Sequence, residues 1–203
     1  LAQFDAPGLL LALDRYPYGC TEQTTSRALP LLYLSEVSGA LGIASAADLD
    51  NRIADAIARV LRNQARSGSF GLWRPNGGDL WLDAYVTDFL SRARAKGHEV
   101  PDRALRASLD NLLSQISYSG DFEQGGEDIA YALMVLAREG AASIGDLRYF
   151  ADAKAEAFAT PMAKAQIGYA LASYGEQRRA DLMFGLAATQ VKAADAEARG
   201  WRH

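Results

Sequence analysis

The stretches 77–97, GGDLWLDAYVTDFLSRARAKG, and 125–140, GGEDIAYALMVLAREG, indicate how this chain folds. Each begins with two glycines, has an acidic residue close behind them, continues with apolar or small residues around most of a helix, and ends at a glycine. A helix that is apolar on nearly all sides is typical of a buried helix. Segment 165–175, AQIGYALASYG, has the same character. We therefore predict three enclosed helices, at 80–90, 128–137 and 165–175.

Helices with one apolar face accompany these enclosed segments. One follows a cap at Ser45 or Asp48 and has apolar residues at helical spacing, namely Ile53, Ile57, Val60 and Leu61. A second follows the helix start at 101–102, with Leu105, Leu109, Leu112, Leu113 and Ile116. The pairing predicts an all-α fold built from a degenerate helical-hairpin repeat of about 40 residues. Because the inner helices are enclosed, a closed ring, the α/α toroid, is favoured over an open solenoid.

The composition excludes several classes of function. With 203 residues, 49% of them hydrophobic and 23% charged, the chain is long enough to form one core, and we expect a single domain over 1–203. The start at Leu1 is typical of a domain excised from a longer protein. The 21 basic and 25 acidic residues form no block of one sign, so neither a nucleic-acid partner nor direct membrane contact is expected. The apolar runs are shorter than the roughly 20 residues of a membrane-spanning helix.

Cys20, in the sequence PYGCTEQ at 17–23, is the single cysteine of the chain and cannot form an internal disulfide. It precedes a helical pattern, so we expect it near a helix N-terminus, where the helix dipole stabilises a thiolate. Residues i and i+3 share a helix face, so its sulfur can meet the carboxamide carbon of Gln23. Condensation with loss of ammonia would give an intrachain thioester, an activated acyl group that persists only if it is kept dry.

Two other interpretations remain open from the residues alone. A catalytic α/α-toroid enzyme could use Cys20 as a conventional nucleophile, but such an enzyme needs a nearby base, and the chain has two histidines, His98 and the terminal His203. A helical-repeat interaction module could instead hold Cys20 as an inert buried side chain. The glycine pairs lack phosphate-loop spacing and the aspartates of 79–88 form no tight cluster, so no cofactor and no metal are expected.

The sequence PYGCTEQ is similar to the thioester signature, Gly-Cys-x-Glu-Gln, of the alpha-2-macroglobulin and complement family. Pro30 and Tyr33 resemble the proline and the following tyrosine of that family's thioester helix. WLDAYV at 81–86 resembles a family element, WLTAYV, and GSFG at 68–71 resembles the turn before it. The threonine of Cys-Thr-Glu-Gln and the following ALPLLYL are more similar to the bacterial branch.

The resemblance implies the thioester domain, an α/α toroid, of a broad-spectrum protease-trapping inhibitor rather than an enzyme. Cys20 and Gln23 would form the thioester, which acylates lysine amines of a protease after cleavage of a bait region elsewhere in the parent protein. Tyr16, Tyr18 and Glu22 would shield or support that bond. The partners would be target proteases and the other domains of the parent. Bacterial members imply the periplasm, on a lipid-anchored parent, with secretion as the alternative.

Two departures from the family pattern change what we expect. Some complement-type members carry a histidine in the segment that corresponds to 119–128, and none is present there. We therefore expect direct attack by amines without a histidine relay. The chain is also shorter than the family's thioester domains, so the ring is expected to be incomplete. Of the aromatic residues near the motifs, Trp73, Trp81 and Tyr85 are expected mainly in the core.

Overall fold

The computed structural model describes residues 19–41, 46–118, 122 and 125–200, with 35–41, 46 and 195–200 described by their backbone alone. These residues form α1 (Thr21–Leu41), α2 (Ala46–Arg62), α3 (Leu80–Ala95), α4 (Asp102–Tyr118), α5 (Glu127–Arg138), α6 (Ile144–Ala153), α7 (Pro161–Ser173) and α8 (Gln177–Gly200). Within the described ranges, extended pairing is limited to isolated bridges, Gln64 with Phe70 and Gly125 with Phe158. The prediction of an all-α chain is confirmed.

The chain divides into two compact units, Leu1–Asn111 and Leu112–His203. In the first unit, α1 packs against α2 and α3, and α2 also contacts α3. In the second unit, α7 packs against α5, α6 and α8, and α6 also contacts α8. Among the described connections, those between α3 and α4, α5 and α6, α6 and α7, and α7 and α8 are short, whereas α2 and α3 are joined by the longer segment 63–79.

All three predicted segments form helices, α3, α5 and α7. Enclosure is confirmed for α3 and α5, whereas α7 exposes Met162 and Tyr169 on one face. Each contributes fully buried apolar side chains, of which Phe89, Leu133 and Ile167 are examples with 0% exposure. Burying a side chain of this size contributes about 1.5–3 kcal/mol relative to leaving it in water. Helix α3 is the most enclosed of the three, and it also buries two carboxylates, Asp83 and Asp88.

The one-faced helices are confirmed as α2 and α4. Their buried residues follow the predicted stripes, with Leu49, Ile53, Ile57 and Val60 on α2 and Leu105, Leu109, Leu112 and Ile116 on α4. The prediction of a cap at Asp48 is wrong because α2 begins at Ala46, so Asp48 lies in its first turn, where a carboxylate still favours the helix dipole. Ser45 lies outside the described residues.

Helix α7 begins with a side-chain cap. The hydroxyl of Thr160 accepts a hydrogen bond from the N–H of Ala163 at 3.2 Å, and Pro161 occupies the first helical position. We expect Thr160→Ala to lower the free energy of unfolding by about 1 kcal/mol in urea denaturation. As a control, Thr189→Ala on the exposed face of α8 should change it by less than about 0.5 kcal/mol. Equal losses in the two variants would contradict the capping role.

An ion-pair network joins α6, the start of α8 and the turn before it. Arg179 donates to Asp152 at 2.8 Å and to Glu176 at 2.7 Å, and Arg148 also pairs with Glu176. Hydrogen bonds from Arg148 and Arg179 lower the pKa of Glu176, and the hydrogen bond from Arg179 lowers the pKa of Asp152. A lowered carboxylate pKa stabilises the fold above the ordinary pKa, and this stabilisation is lost as the pH falls through the folded-state value.

The network predicts a pH-dependent effect of Arg179→Gln. The ordinary pKa values of the two carboxylates are 3.8 and 4.5, so the pairs are fully formed at neutral pH and are lost in acid below these values. The variant should show a small drop in Tm at pH 7, because exposed ion pairs contribute little. The difference in Tm between variant and parent should shrink as the pH falls below 3.8. A difference that stays constant across this range would exclude the ion pairs as its cause.

Candidate functional site

Cys20 lies at the start of α1. Its carbonyl oxygen accepts the N–H of Thr24 at 2.9 Å, which closes the first turn of the helix. Its side chain is buried, with 7% exposure, and its sulfur accepts the N–H of Gln23 at 3.4 Å. The prediction that Cys20 lies at a helix N-terminus is therefore confirmed, and the sulfur satisfies one of the backbone N–H groups that a helix start leaves free.

The side chain of Gln23 is in an unusual environment. Its amide oxygen Oε1 is buried and accepts no hydrogen bond from any residue that the structure describes. Buried polar atoms without a partner are uncommon in folded proteins, and each one calls for an explanation. A buried sulfur and a carboxamide with a buried oxygen thus belong to the same helical turn, three residues apart.

Thr21, the first residue of α1, is held from outside the helix. Its N–H donates to the carbonyl oxygen of Leu72 at 2.8 Å, and its hydroxyl donates to that of Gly71 at 2.6 Å. The side-chain amide of Asn63 donates to the same hydroxyl at 2.8 Å. Thr21 is 1% exposed, so these bonds are shielded from water. No sequence pattern predicted a role for Thr21 or Asn63, although a hydroxyl residue inside the Cys-Thr-Glu-Gln signature was a usable signal.

The turn that holds Thr21 is itself held by Asp83 of α3. This fully buried carboxylate accepts the N–H of Phe70 at 2.6 Å, the hydroxyl of Ser69 at 2.8 Å and the side-chain amide of Asn111 at 2.8 Å. The backbone passes close by at Gly78, where a Cβ atom would lie 2.2 Å from the carbonyl oxygen of Phe70. The GSFG and WLDAYV motifs are therefore one structural unit, a turn and the carboxylate that fixes it.

Glu22 connects α1 to α3. Its carboxylate accepts the hydroxyl of Ser26 at 2.7 Å, and the Ser26 hydroxyl lies 3.1 Å from that of Tyr85. Tyr85 in turn stacks on Trp81, with 5.1 Å between ring centroids. Of the predicted site residues, the structure thus brings Cys20, Glu22 and Gln23 into the first turn of α1. The other two, Tyr16 and Tyr18, lie outside the described residues.

A cavity of about 450 Å³ lies beside this turn, lined by Glu22, the segment 71–79 and the start of α3. Trp73 and Trp81 border it and are 66% and 44% exposed, so the prediction that they belong to the core is wrong. The reason is the phase of α3, which buries Leu80 and Leu82 and leaves Trp81 between them facing outward. Tyr85, under the Trp81 ring, is half-buried.

A second connection between α1 and α3 lies at Tyr33. Helix α1 continues through Pro30, which lacks the N–H of a regular helical bond. Three residues on, the Tyr33 hydroxyl accepts a hydrogen bond from Arg92 at 2.7 Å, and Lys96 lies 4.6 Å from the centre of its ring. Burial disfavours the charge on Arg92, but the neighbouring Asp88 and the Tyr33 hydroxyl more than offset this and raise its pKa. Tyr33, three residues after Pro30, therefore makes a hydrogen bond that ties α1 to α3.

None of the helices in the described ranges has the length and apolar character needed to cross a membrane. The same residues contain no group of three or more histidine, cysteine, aspartate or glutamate side chains arranged to hold a metal ion.

Known proteins are similar to this chain over most of its length. A family model described as the A-macroglobulin TED domain matches residues 4–134. Alpha-2-macroglobulin of Escherichia coli K12 is 36% identical over 196 residues, which cover 90% of this chain and 12% of that protein. Alpha-2-macroglobulin of Xylella fastidiosa strain Temecula1 is 31% identical over 195 residues, with 89% of this chain and 12% of the relative covered. The chain thus spans about an eighth of the length of these relatives.

The solved structures that this chain resembles include bacterial alpha-2-macroglobulins as well. Native Escherichia coli alpha-2-macroglobulin, in a crystal structure from domain MG7 to the C-terminus, matches with a TM-score of 0.78 and 33% identity over 89% of this chain and 30% of that one. Salmonella alpha-2-macroglobulin reacted with methylamine matches with a TM-score of 0.79 and 34% identity over 89% of this chain and 12% of that one. The matches confirm the predicted fold class, the helical toroid of the TED domain. With a family model covering more than half of its residues, the chain belongs to the A-macroglobulin family through its TED domain.

Proposed function

We propose that Cys20 and Gln23 form an intrachain thioester and that the domain serves a broad-spectrum protease-trapping inhibitor. The observation that carries the proposal is the first turn of α1. There the buried sulfur of Cys20 lies 3.4 Å from the backbone nitrogen of Gln23, and the Gln23 amide oxygen has no donor among the described residues. An amide oxygen is a strong acceptor and is costly to bury alone. A thioester carbonyl oxygen is a weaker acceptor and suits such a site better.

The bond forms by condensation. The Cys20 thiolate attacks the Gln23 carboxamide carbon, a C–S bond forms, the C–N bond breaks, and ammonia leaves with the proton of the thiol. The product holds the acyl group in an activated state. Burial of the sulfur supports its persistence, because water is the competing nucleophile.

The acceptor in this proposal is an amine. A primary amine attacks the Gln23 carbonyl carbon, an amide forms, and Cys20 leaves as a thiolate. A solved Salmonella relative was reacted with methylamine, and Escherichia coli relatives were activated by trypsin and by porcine elastase. These findings support a protease lysine as the acceptor, reached after bait-region cleavage in the parent protein. Because the sequence has no histidine at 119–128, the amine attacks directly.

We assign the domain as a single-use inhibitor and not as an enzyme, since aminolysis consumes the acyl group and nothing in the scheme restores it. Residues 1–203 would form one thioester domain of a larger protein, whose other domains cover the site. Tyr16 and Tyr18 would shield the bond, and Glu22 would support the turn through Ser26. The bacterial relatives support a periplasmic location on a lipid-anchored parent, with secretion as the alternative.

Intact mass and thiol titration of the complete native protein test the proposal. We expect a mass lower than the sequence by one ammonia and no titratable thiol at Cys20. Methylamine should then add one methylamine to the protein and release one thiol. A freshly purified protein with the full sequence mass and a reactive Cys20 thiol would overturn the proposal.

A further inference from the structure

We propose that Thr21 is a positioning residue for Cys20, and that Asp83 acts on Cys20 through the 69–72 turn and Thr21. The contacts that define this role do not depend on the thioester. Its consequence for the reaction rests on the proposed function, since a fixed Cys20 sulfur is what ring closure with Gln23 requires. The GSFG and WLDAYV motifs, which the thioester chemistry alone does not explain, would then hold the Cys20 end of α1 in place.

Thr21 is held by hydrogen bonds from outside its own helix. The N–H groups of a helix's first turn have no partner inside the helix, and helix ends tend to fray. Here the N–H of Thr21 is bonded to Leu72, and its hydroxyl is bonded to Gly71 while accepting from Asn63. Three hydrogen bonds thus converge on the residue next to Cys20, from partners 42 to 51 positions away in the sequence. The helix end that carries the thiol is anchored to a turn and to α2.

The 69–72 turn is itself fixed by Asp83. Asp83 holds Phe70 through its N–H and Ser69 through its hydroxyl, and Ser69 also accepts the N–H of Gly78 at 2.7 Å. Ser69 and Phe70 are 4% and 0% exposed, so water cannot readily replace these bonds. The carbonyl oxygens that grip Thr21 belong to the next two residues, Gly71 and Leu72. Asp83 therefore fixes the acceptors, and Thr21 transmits their position to Cys20.

The position of the Cys20 sulfur affects its reaction with Gln23. Holding two reacting groups in one geometry accelerates their reaction, because the cost of bringing them together is met in advance. If Thr21 were released, the first turn of α1 would open more often and the Cys20 sulfur would leave the neighbourhood of Gln23. The same opening would expose the thiol to solvent, which gives a measurement that needs no thioester.

The experiment uses the complete protein with Thr21→Val, which keeps the shape and removes the hydroxyl, and Thr21→Ser, which restores it. The control is Ser108→Ala, which removes the hydroxyl of a buried serine of α4 that donates to the carbonyl oxygen of Leu105 in its own helix at 2.8 Å. All three are made in the native background and in a Gln23→Ala background, where no acyl donor exists and Cys20 is a free thiol. In the second background the alkylation rate of Cys20 by iodoacetamide is measured well below Tm.

In the Gln23→Ala background we expect Thr21→Val to raise the alkylation rate by about tenfold or more, because the variant loses both the hydrogen bond to Gly71 and the one from Asn63. Thr21→Ser and Ser108→Ala should stay within about twofold of their parent. An unchanged rate in Thr21→Val, or an equal rise in Thr21→Ser, would overturn the positioning role. In the native background, a parent that has not lost ammonia would instead overturn the proposed thioester, while the alkylation rates still decide the role of Thr21.

Discussion

Replacing Gln23 by alanine in the complete protein is expected to abolish the incorporation of labelled methylamine and to leave Cys20 titratable from the start. The variant has no acyl group to transfer, so incorporation should fall to background rather than to a reduced rate. Liquid scintillation and thiol titration on the same sample measure both effects.

The control for this prediction is Gln177→Ala. Gln177 is also in the first turn of a helix, α8, but it is exposed, and its side chain donates to Asp181. This variant should incorporate methylamine like the parent. Cys20→Ala should behave like Gln23→Ala, apart from the missing thiol. Labelling of the Gln23→Ala protein at the parent rate would place the reactive acyl group elsewhere.

Much of the fold could be predicted because helical periodicity is a local property. The circumference of α3, α5 and α7 is apolar within a dozen residues of sequence, and burial follows directly from that pattern. Helix starts are harder to predict, since several residues near an end can act as the cap. The exposed Trp81 was missed for a related reason, because its size favoured the core while the phase of α3 turned it outward.

The candidate site divides in the same way. Cys20 and Gln23 are three residues apart, so their spacing alone predicted that they share a helical turn. The contacts of Thr21 with Asn63 and Gly71 span 42 and 50 residues and follow no spacing rule. The bonds of Asp83 depend on how the 69–78 turn passes over α3, which no periodicity encodes. The sequence thus predicted that Cys20 and Gln23 share a turn, the pair that we propose to react, whereas the residues that hold this turn emerged only from tertiary structure.

Asp83→Leu is expected to lower the free energy of unfolding by about 3–5 kcal/mol, measured by urea denaturation. The substitution keeps the branching of the side chain, adds bulk, and leaves the Phe70 N–H and the Asn111 amide without their acceptor in a buried site. Asp83→Asn should cost less, because an amide retains one acceptor oxygen. The exposed Asp181→Leu on α8 is the control and should change stability by less than about 1 kcal/mol.

The same variants separate the stability of the domain from the geometry of its site. Asp83→Asn should fold and yet incorporate methylamine more slowly than its parent, because the 69–72 turn that grips Thr21 loses part of its anchor. The rate should be compared at a temperature where both proteins are fully folded, so that global unfolding does not contribute. If Asp83→Leu has the same urea midpoint as the parent, the hydrogen bonds of Asp83 do not stabilise the domain. If Asp83→Asn reacts at the parent rate despite lower stability, the turn stabilises the domain without positioning Cys20.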